Sequence, residues 1–229
     1  MIPLALAALF LPMSHFLIAS TRLRALLVRR MGEKRYSSAY SLLTVAAFAA
    51  LILAYRAAPT HPLWSAPLWL TLVSELAVLL AILLLVAGLS TPNPTIVGRA
   101  ALLDRADIVR GILRVTRNPF LWGAGLFALA HVVMIGEAAA ALCFGSVAIL
   151  GLAGAPILDT KKARNHPRAW AAFAAETSDI PFLAILQGRQ RLAWREIGAW
   201  RIMLSLGLFL AVLLLHPLLF GGNPLASLI

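Results

Sequence analysis

The chain has 229 residues, 61% of them hydrophobic, and a mean hydropathy of +0.88. Soluble domains are about 45–50% apolar, so this composition excludes an ordinary soluble protein and predicts a polytopic membrane protein. The formal net charge of +11 would indicate nucleic-acid binding only if the basic residues formed a patch that could contact a phosphate backbone. The single cysteine, Cys143, excludes a disulfide within the chain.

Six apolar runs are long enough to cross a bilayer, at about residues 1–20, 38–55, 67–89, 119–135, 138–157 and 202–220. They lack the alternation of strands, so helices are expected to satisfy the backbone in lipid. No basic residue precedes the first run, which predicts a retained span rather than a cleaved signal peptide. We therefore expect one domain, residues 1–229, folded as an all-α transmembrane bundle of about six spans.

The basic residues alternate with the apolar runs. Nineteen of the twenty lysines and arginines lie in segments 21–36, 90–117 and 158–201, and the exception is Arg56. This asymmetry predicts that the three segments are cytoplasmic and that both termini face the periplasm across a bacterial inner membrane. Anionic lipid headgroups are then the expected partner of the positive charge, and no nucleic acid is expected.

Amphipathic helices are predicted on the cytoplasmic side. In segment 95–117 the apolar residues share one helical face and four arginines share the other, which is typical of a helix lying in the headgroup region. Segment 165–201 is expected to contain two more such helices, the first starting near Asn165 and Pro167.

Two histidines, His15 and His131, lie within the apolar runs. Ionisable residues at membrane depth usually mark a functional site, and a neutral imidazole is a common metal ligand. The pair suggests a metal centre between helices, and haem iron is the candidate because the chain has almost no other ligand set. Without a C-x-x-C-H sequence, such a haem would be non-covalent. The alternative is that each imidazole only bonds a carbonyl or hydroxyl in the bundle.

A third histidine, His216, offers another pairing. It lies near the outer end of the last run, at a depth similar to that of His131, so depth alone pairs these two. His15 and His131 differ in depth by roughly 10–15 Å, at 1.5 Å per residue. Joining His15 and His131 through one iron therefore requires either a haem plane inclined towards the membrane plane or spans whose limits are shifted from those predicted.

Three charged residues complete the candidate set. Glu75, the only acid well inside a run, could orient His131, relay a proton, or simply bond a neighbouring helix as a protonated acid. Arg22 and Arg117 lie at the cytoplasmic mouth near His15. They could bind haem propionates through charge-assisted hydrogen bonds, or act only as topological charges.

Several short motifs follow one another along nearly the whole chain: Ser14-His15-Phe16, Met31-Gly32-Glu33-Lys34-Arg35-Tyr36, Thr116-Arg117-Asn118-Pro119, Ala130-His131, Asp159 with Lys161-Lys162, and His216-Pro217. Their order and spacing resemble those of the NnrU family. One departure is Asn118, where the family often has histidine.

The resemblance implies a function. The family includes zeta-carotene isomerases, membrane proteins with haem b held by two axial histidines, and the matching positions here are His15 and His131. It thus implies a redox-gated cis-trans isomerase acting on a lipophilic polyene, with an unknown redox partner. The alternative is a haem sensor, electron carrier or support factor in denitrification and nitrogen-oxide metabolism, because the bacterial namesakes are associated with those processes.

Overall fold

The computed structural model describes residues 1–19 and 21–224, and no strand forms within these ranges. The apolar runs are helical, since only a helix satisfies every backbone group of an isolated segment in lipid. The helices are α1 (Ile2–Met13, continued by a π-helical turn, Ser14–Ala19), α2 (Arg22–Met31), α3 (Glu33–Arg56), α4 (Leu68–Ser90), α5 (Pro119–Ile135), α6 (Ala138–Asn165), α7 (Pro167–Glu176), α8 (Leu183–Leu186), α9 (Trp194–Ile197) and α10 (Ala199–Phe220).

Four of these helices, α3, α4, α6 and α10, are long and apolar enough to cross a membrane. A fifth span is added if α1 and α2 count as one broken span, although the chain bends by 75° between them. Helix α5 is apolar but has only 17 residues, near the lower limit for a span. The expected transmembrane helical bundle is confirmed, and four to five of its six predicted spans meet the length criterion.

The bundle core follows a chain of helix contacts. Helix α1 packs on α3 and α6 through a cluster that includes Leu4, Leu11, Leu51 and Cys143. Helix α6 packs on α5, α5 on α4, and α4 on α10. The α5–α6 contact needs small residues, because a Cβ added to Gly151 would lie 2.6 Å from a carbonyl oxygen of α5.

Segment 95–117 is not the predicted amphipathic helix. It forms only two 3₁₀ turns, Ala100–Asp104 and Gly111–Arg114. Its backbone bonds elsewhere: the Arg117 N–H donates to the Ser178 carbonyl (2.9 Å) and the Phe182 N–H to the Val115 carbonyl (2.8 Å). These long-range bonds outcompete the helical pattern that the side chains alone suggest.

Segment 165–201 also differs from the prediction of two helices. One helix of ten residues, α7, is present, followed by the single helical turns α8 and α9. Phe182, Gly188 and Gly198 have positive φ angles, which end helical runs. The segment folds back on 91–118, so two of the basic segments pack at one end of the bundle, called here the basic end.

The opposite end is closed by the α3–α4 loop. The Leu63 N–H donates to the Gly136 carbonyl (2.7 Å) and the Ala138 N–H to the His61 carbonyl (2.9 Å). The Trp64 indole donates to the Val133 carbonyl (3.0 Å). This loop therefore lies over the α5–α6 hairpin turn that was predicted at Gly136-Glu137.

Candidate functional site

His131 lies on α5 between two phenylalanine rings. Its ring centroid is 4.1 Å from that of Phe127 and 4.8 Å from that of Phe144 on α6. The Nδ1 atom is 2.8 Å from the Phe127 carbonyl oxygen. A carbonyl can only accept, so Nδ1 carries the proton in this bond, and the neutral ring presents its lone pair at Nε2. This is the tautomer that a metal-binding imidazole adopts when its other nitrogen is anchored by the backbone.

His15 has the same anchoring. Its Nδ1 lies 3.0 Å from the Leu11 carbonyl, again four residues earlier, so this nitrogen is also the donor. The residue belongs to the π-helical turn that follows Pro12 of α1. Proline lacks the N–H that continues an α-helix, and π-helical turns often occur at functional sites. The His15 ring meets the edge of Tyr40 on α3, with centroids 5.5 Å apart.

The structure places His15 and His131 at different depths. His131 and Tyr55 of α3 both contact Phe144, whereas His15 contacts Tyr40. Tyr40 and Tyr55 are about four turns apart on α3, or roughly 22 Å at 1.5 Å per residue. This offset exceeds the predicted one of roughly 10–15 Å, and within the described ranges no contact joins the two histidines, so in this conformation they are too far apart to bind one iron and their joint ligation stays a prediction.

His216 is the histidine that the fold brings near His131. It lies on α10 close enough to His131 and to Glu75 of α4 for their charges to interact. Its Nδ1 is 2.8 Å from the Gly222 carbonyl, so Nδ1 is the donor, and in the neutral form of the ring the lone pair is at Nε2.

Glu75 is half-buried on α4, and within the described chain no hydrogen bond joins it to His131. The Nδ1 proton of His131 is already donated to Phe127. The charged or ionisable neighbour that the fold gives Glu75 is His216 rather than His131.

The two candidate propionate ligands have different surroundings. Arg22 is exposed at the start of α2. Arg117 is mostly buried and its Nη2 lies 2.6 Å from the Asp159 carboxylate of α6. It also donates to the Thr177 carbonyl (3.1 Å) and lies over the Trp170 ring. A propionate would have to compete with Asp159 for Arg117.

The residues around Asn118 form a buried polar cluster that was not predicted from the sequence. The Asn118 amide nitrogen donates to Asp159 (2.9 Å) and to Asp179 (2.8 Å). The Trp122 indole also donates to Asp179 (3.2 Å). The Asn118 side-chain oxygen is buried without a hydrogen-bond partner. The motif Thr116-Arg117-Asn118-Pro119 was the available signal, but both aspartates lie outside the apolar runs.

The donor set is compatible with haem rather than with a multi-ligand metal site. In the part of the chain that the structure describes, no group of three or more histidine, cysteine, aspartate or glutamate side chains could hold a metal ion. A haem needs only one or two axial ligands from the protein. The three imidazoles with backbone-anchored Nδ1 atoms have the chemistry for that role.

Comparison with known proteins identifies the family of the chain. The family described as NnrU protein matches residues 3–224. Among curated proteins, the chain is 31% identical over 116 residues to the chloroplastic 15-cis-zeta-carotene isomerase of Arabidopsis thaliana. It is 32% identical over 120 residues to the enzyme of the same name from Zea mays. Each match covers 49% of this chain and 32% of the relative, so the matched region spans about a third of those enzymes. No solved structure shows significant similarity.

Proposed function

Because the chain belongs to the NnrU family, we propose that it is a membrane-embedded cis-trans isomerase of a lipophilic polyene of the zeta-carotene class, dependent on non-covalent haem b. The observation that carries the proposal is the imidazole of His131. It lies in an apolar helical bundle, its ring plane is held between two phenylalanines, and its backbone-anchored Nδ1 leaves Nε2 to act as a ligand.

We propose His15 and His131 as the axial ligands on the strength of the family resemblance; because the described conformation holds them at different depths, their joint ligation requires α1 to shift along the bundle. The family resemblance supports His15, whereas proximity supports His216 as the partner of His131. When bound, the haem would supply an iron whose oxidation state changes its affinity for an imidazole and for a central double bond. The carbonyls of Leu11 and Phe127 hold each imidazole in one tautomer, so that no proton must move before Nε2 can bind or leave a metal.

The apolar surroundings suit a hydrocarbon substrate. A cis-trans isomerisation leaves the composition and oxidation state of the polyene unchanged, so the protein has to admit the chain, exclude water and allow rotation about one bond. The exposed faces of α3, α4 and α10 are predominantly apolar, which suits entry of a substrate from the lipid phase. The proposal thus needs no acid–base residue that acts on the substrate.

The test is an absorption spectrum of the purified protein, oxidised and reduced, with single alanine variants of His15, His131 and His216. Two imidazole ligands predict a low-spin, six-coordinate haem. His15→Ala and His131→Ala should each give a five-coordinate spectrum or lose the haem. His61→Ala is the matched control, because its side chain is exposed in the α3–α4 loop and its carbonyl bond to Ala138 does not depend on the imidazole.

The outcomes separate the parts of the proposal. If His216→Ala removes the low-spin spectrum while His15→Ala retains it, His216 is the second ligand. A purified protein without haem would refute the cofactor. Pigment analysis in a host that accumulates the cis polyene tests the activity separately. A haem-loaded protein that leaves the cis isomer unchanged would instead support a haem sensor, electron carrier or support factor.

A further inference from the structure

Helix α2 is amphipathic and buries none of its residues. Leu23, Leu27 and Met31 recur every four residues along one face, and the side chain of Leu23 is exposed. The chain bends by 75° between α1 and α2, so α2 does not continue across the bundle in the direction of α1. A helix that exposes leucines between arginines is typical of the boundary between lipid headgroups and acyl chains.

An apolar groove of about 150 Å³ lies between α2 and the start of α3. Leu27 and Met31 contribute one wall, and Tyr36, Ala39 and Tyr40 contribute the other. The hydroxyl oxygens of both tyrosines are enclosed, so the groove meets the carbon atoms of their rings. A space of this size accommodates a molecule such as benzene. The groove therefore suits a short stretch of one hydrocarbon chain and offers nothing to a polar group.

Positive charge surrounds the groove. Segment 21–36 contains six lysines and arginines and a single acid, Glu33. Glu33 pairs with Arg24, whose guanidinium lies 5.3 Å from the Tyr36 ring centroid. Lys161 of α6 is close enough to Arg24 and Glu33 for their charges to interact, so the groove lies at the basic end of the bundle. A cluster of about four to eight basic residues on an amphipathic helix is typical of anionic-lipid binding.

On α2, one arginine flanks the groove and its neighbour does not. Successive side chains are about 100° apart around a helix. Arg30 therefore lies about 60° from Leu27 of the groove wall, whereas Arg29 lies about 160° from it. Both arginines are exposed. Arg30 is thus placed to meet a headgroup whose acyl chain lies in the groove, and Arg29 faces away from it.

The same contrast holds at the start of α3. Arg35 lies about 40° from Ala39 of the groove wall, whereas Lys34 lies about 140° from it, and both side chains are exposed. Arg30 and Arg35 are therefore a pair of exposed cations beside the groove. Arg29 and Lys34 are a pair of equal charge on the opposite faces of the same two helices.

We propose that the groove and its flanking pair, Arg30 and Arg35, form a binding site for one anionic phospholipid. Part of an acyl chain lies between α2 and α3, and the phosphate accepts charge-assisted hydrogen bonds from the two guanidinium groups. A zwitterionic lipid brings a cation that these arginines repel, and a hydrocarbon polyene leaves them without an anion. The site differs from a general attraction of basic segments to the membrane surface, because it depends on where the cations lie. It requires neither the haem nor the isomerase activity.

The experiment uses the full chain in phosphatidylcholine nanodiscs that contain a trace of phosphatidylglycerol with a photoreactive diazirine on one acyl chain. Labelled residues are mapped by mass spectrometry. We expect labelling within residues 18–43, and unlabelled phosphatidylglycerol should displace it. The same diazirine on a phosphatidylcholine, at equal mole fraction, should label this region much more weakly.

Two charge variants test the positions of the cations. Arg30→Gln with Arg35→Gln should weaken the apparent affinity for phosphatidylglycerol roughly 5- to 30-fold, the effect expected for one to two basic residues at a charged surface. Arg29→Gln with Lys34→Gln is the matched control, because it removes the same charge from the opposite faces, and its affinity should stay close to that of the wild type. All four side chains are exposed, so neither variant disturbs the packed core.

A third variant tests the groove itself. Leu27→Trp should fill it without changing the charge and should remove the labelling. Equal labelling by the phosphatidylcholine probe would show a generic acyl-chain contact, and an equal loss of affinity in the two charge variants would show a diffuse electrostatic attraction. Displacement by soluble glycerol phosphate would show a site for free anions. Each of these results overturns the proposal, as does unchanged labelling in Leu27→Trp.

Discussion

Arg117 and Asp159 form a mostly buried ion pair, with Nη2 and Oδ2 2.6 Å apart and side chains 15% and 13% exposed. The pair joins the residues that precede α5 to the basic end of α6. Arg117 also bonds the Thr177 carbonyl, so a single side chain links three segments that are far apart in sequence.

Asp159→Asn should destabilise the protein substantially. Removing one partner of a buried pair leaves an uncompensated charge, which typically costs about 3–5 kcal/mol. The measurement is thermal unfolding in detergent. The control is Asp107→Asn, because Asp107 pairs with Arg105 at a site where its side chain is 57% exposed, and such pairs contribute little. An equal effect of the two substitutions would contradict the structural role of the pair.

Asn118→Asp should be more destabilising than Asn118→Ala. The wild-type amide donates to Asp159 and Asp179, whereas a carboxylate would face two others of the same sign. Thermal unfolding measured at several pH values checks this, since protonation of the new acid should narrow the gap between the variants at low pH. A more stable aspartate variant at neutral pH would exclude the described hydrogen-bond directions.

The long helices could be predicted from sequence, because a helix that crosses the bilayer needs an apolar run and its cytoplasmic flanks carry basic residues. The fold of segment 95–117 could not be predicted in this way. Its helical pattern of apolar residues is real, but the bonds of Val115 and Arg117 to Phe182 and Ser178 decide its fold. Such contacts involve residues about 60 positions apart, and no local pattern encodes them.

The individual residues of the candidate site could be predicted from sequence, but their arrangement relative to one another could not. The imidazole of His131 at membrane depth follows from hydropathy, and its backbone-anchored tautomer follows from the helix. Its neighbours depend on the order of helices across the bundle, which places α4 between α5 and α10. The proximity of His216 to His131 agrees with the depth estimate, but the fold was needed to establish it and to show that Glu75 lies near His216.

Gly136→Ala should destabilise the hairpin that carries His131. Gly136 has φ of +65°, and an added Cβ would lie 2.1 Å from the Trp64 carbonyl oxygen. Both the backbone conformation and the space require glycine here. Gly145→Ala in α6 is the matched control, because no atom lies within 4 Å of its added Cβ and alanine favours a helix. The midpoint temperature of thermal unfolding should fall for Gly136→Ala and stay level or rise for Gly145→Ala. The reverse order of midpoints would exclude the described turn.

Glu196 should make the packing of α9 against the 3₁₀ turn Gly111–Arg114 sensitive to low pH. Its carboxylate accepts from the Arg114 guanidinium (2.8 Å) and from the Gly111 N–H (2.9 Å). The bond from Arg114 and then that from Gly111 hold the pKa of Glu196 below its ordinary value. Because the pKa of Glu196 is lower in the folded than in the unfolded protein, its ionised carboxylate stabilises the fold at pH values above the unfolded pKa. This stabilisation is lost as the pH falls through the pKa of the folded state.

Hydrogen exchange of residues 190–198 provides the measurement. In the wild type, protection should decrease as the pH is lowered through the acid range, after correction for the intrinsic exchange rate. Glu196→Gln should show weaker protection at neutral pH and a flatter dependence. A pH dependence equal to that of the wild type would rule out this carboxylate as the source.

The topology of the chain gives the last prediction. The basic segments should be cytoplasmic, and the α3–α4 loop, which follows Arg56 at the end of α3, should face the periplasm. In a Cys143→Ala background, Thr60→Cys should react with an impermeant thiol reagent in intact cells that have a permeable outer membrane. Arg30→Cys and Arg164→Cys should react only after the inner membrane is opened. All three positions are exposed in the fold, so burial does not decide the labelling. Reaction of the Arg30 and Arg164 variants in intact cells, with the Thr60 variant protected, would reverse the orientation.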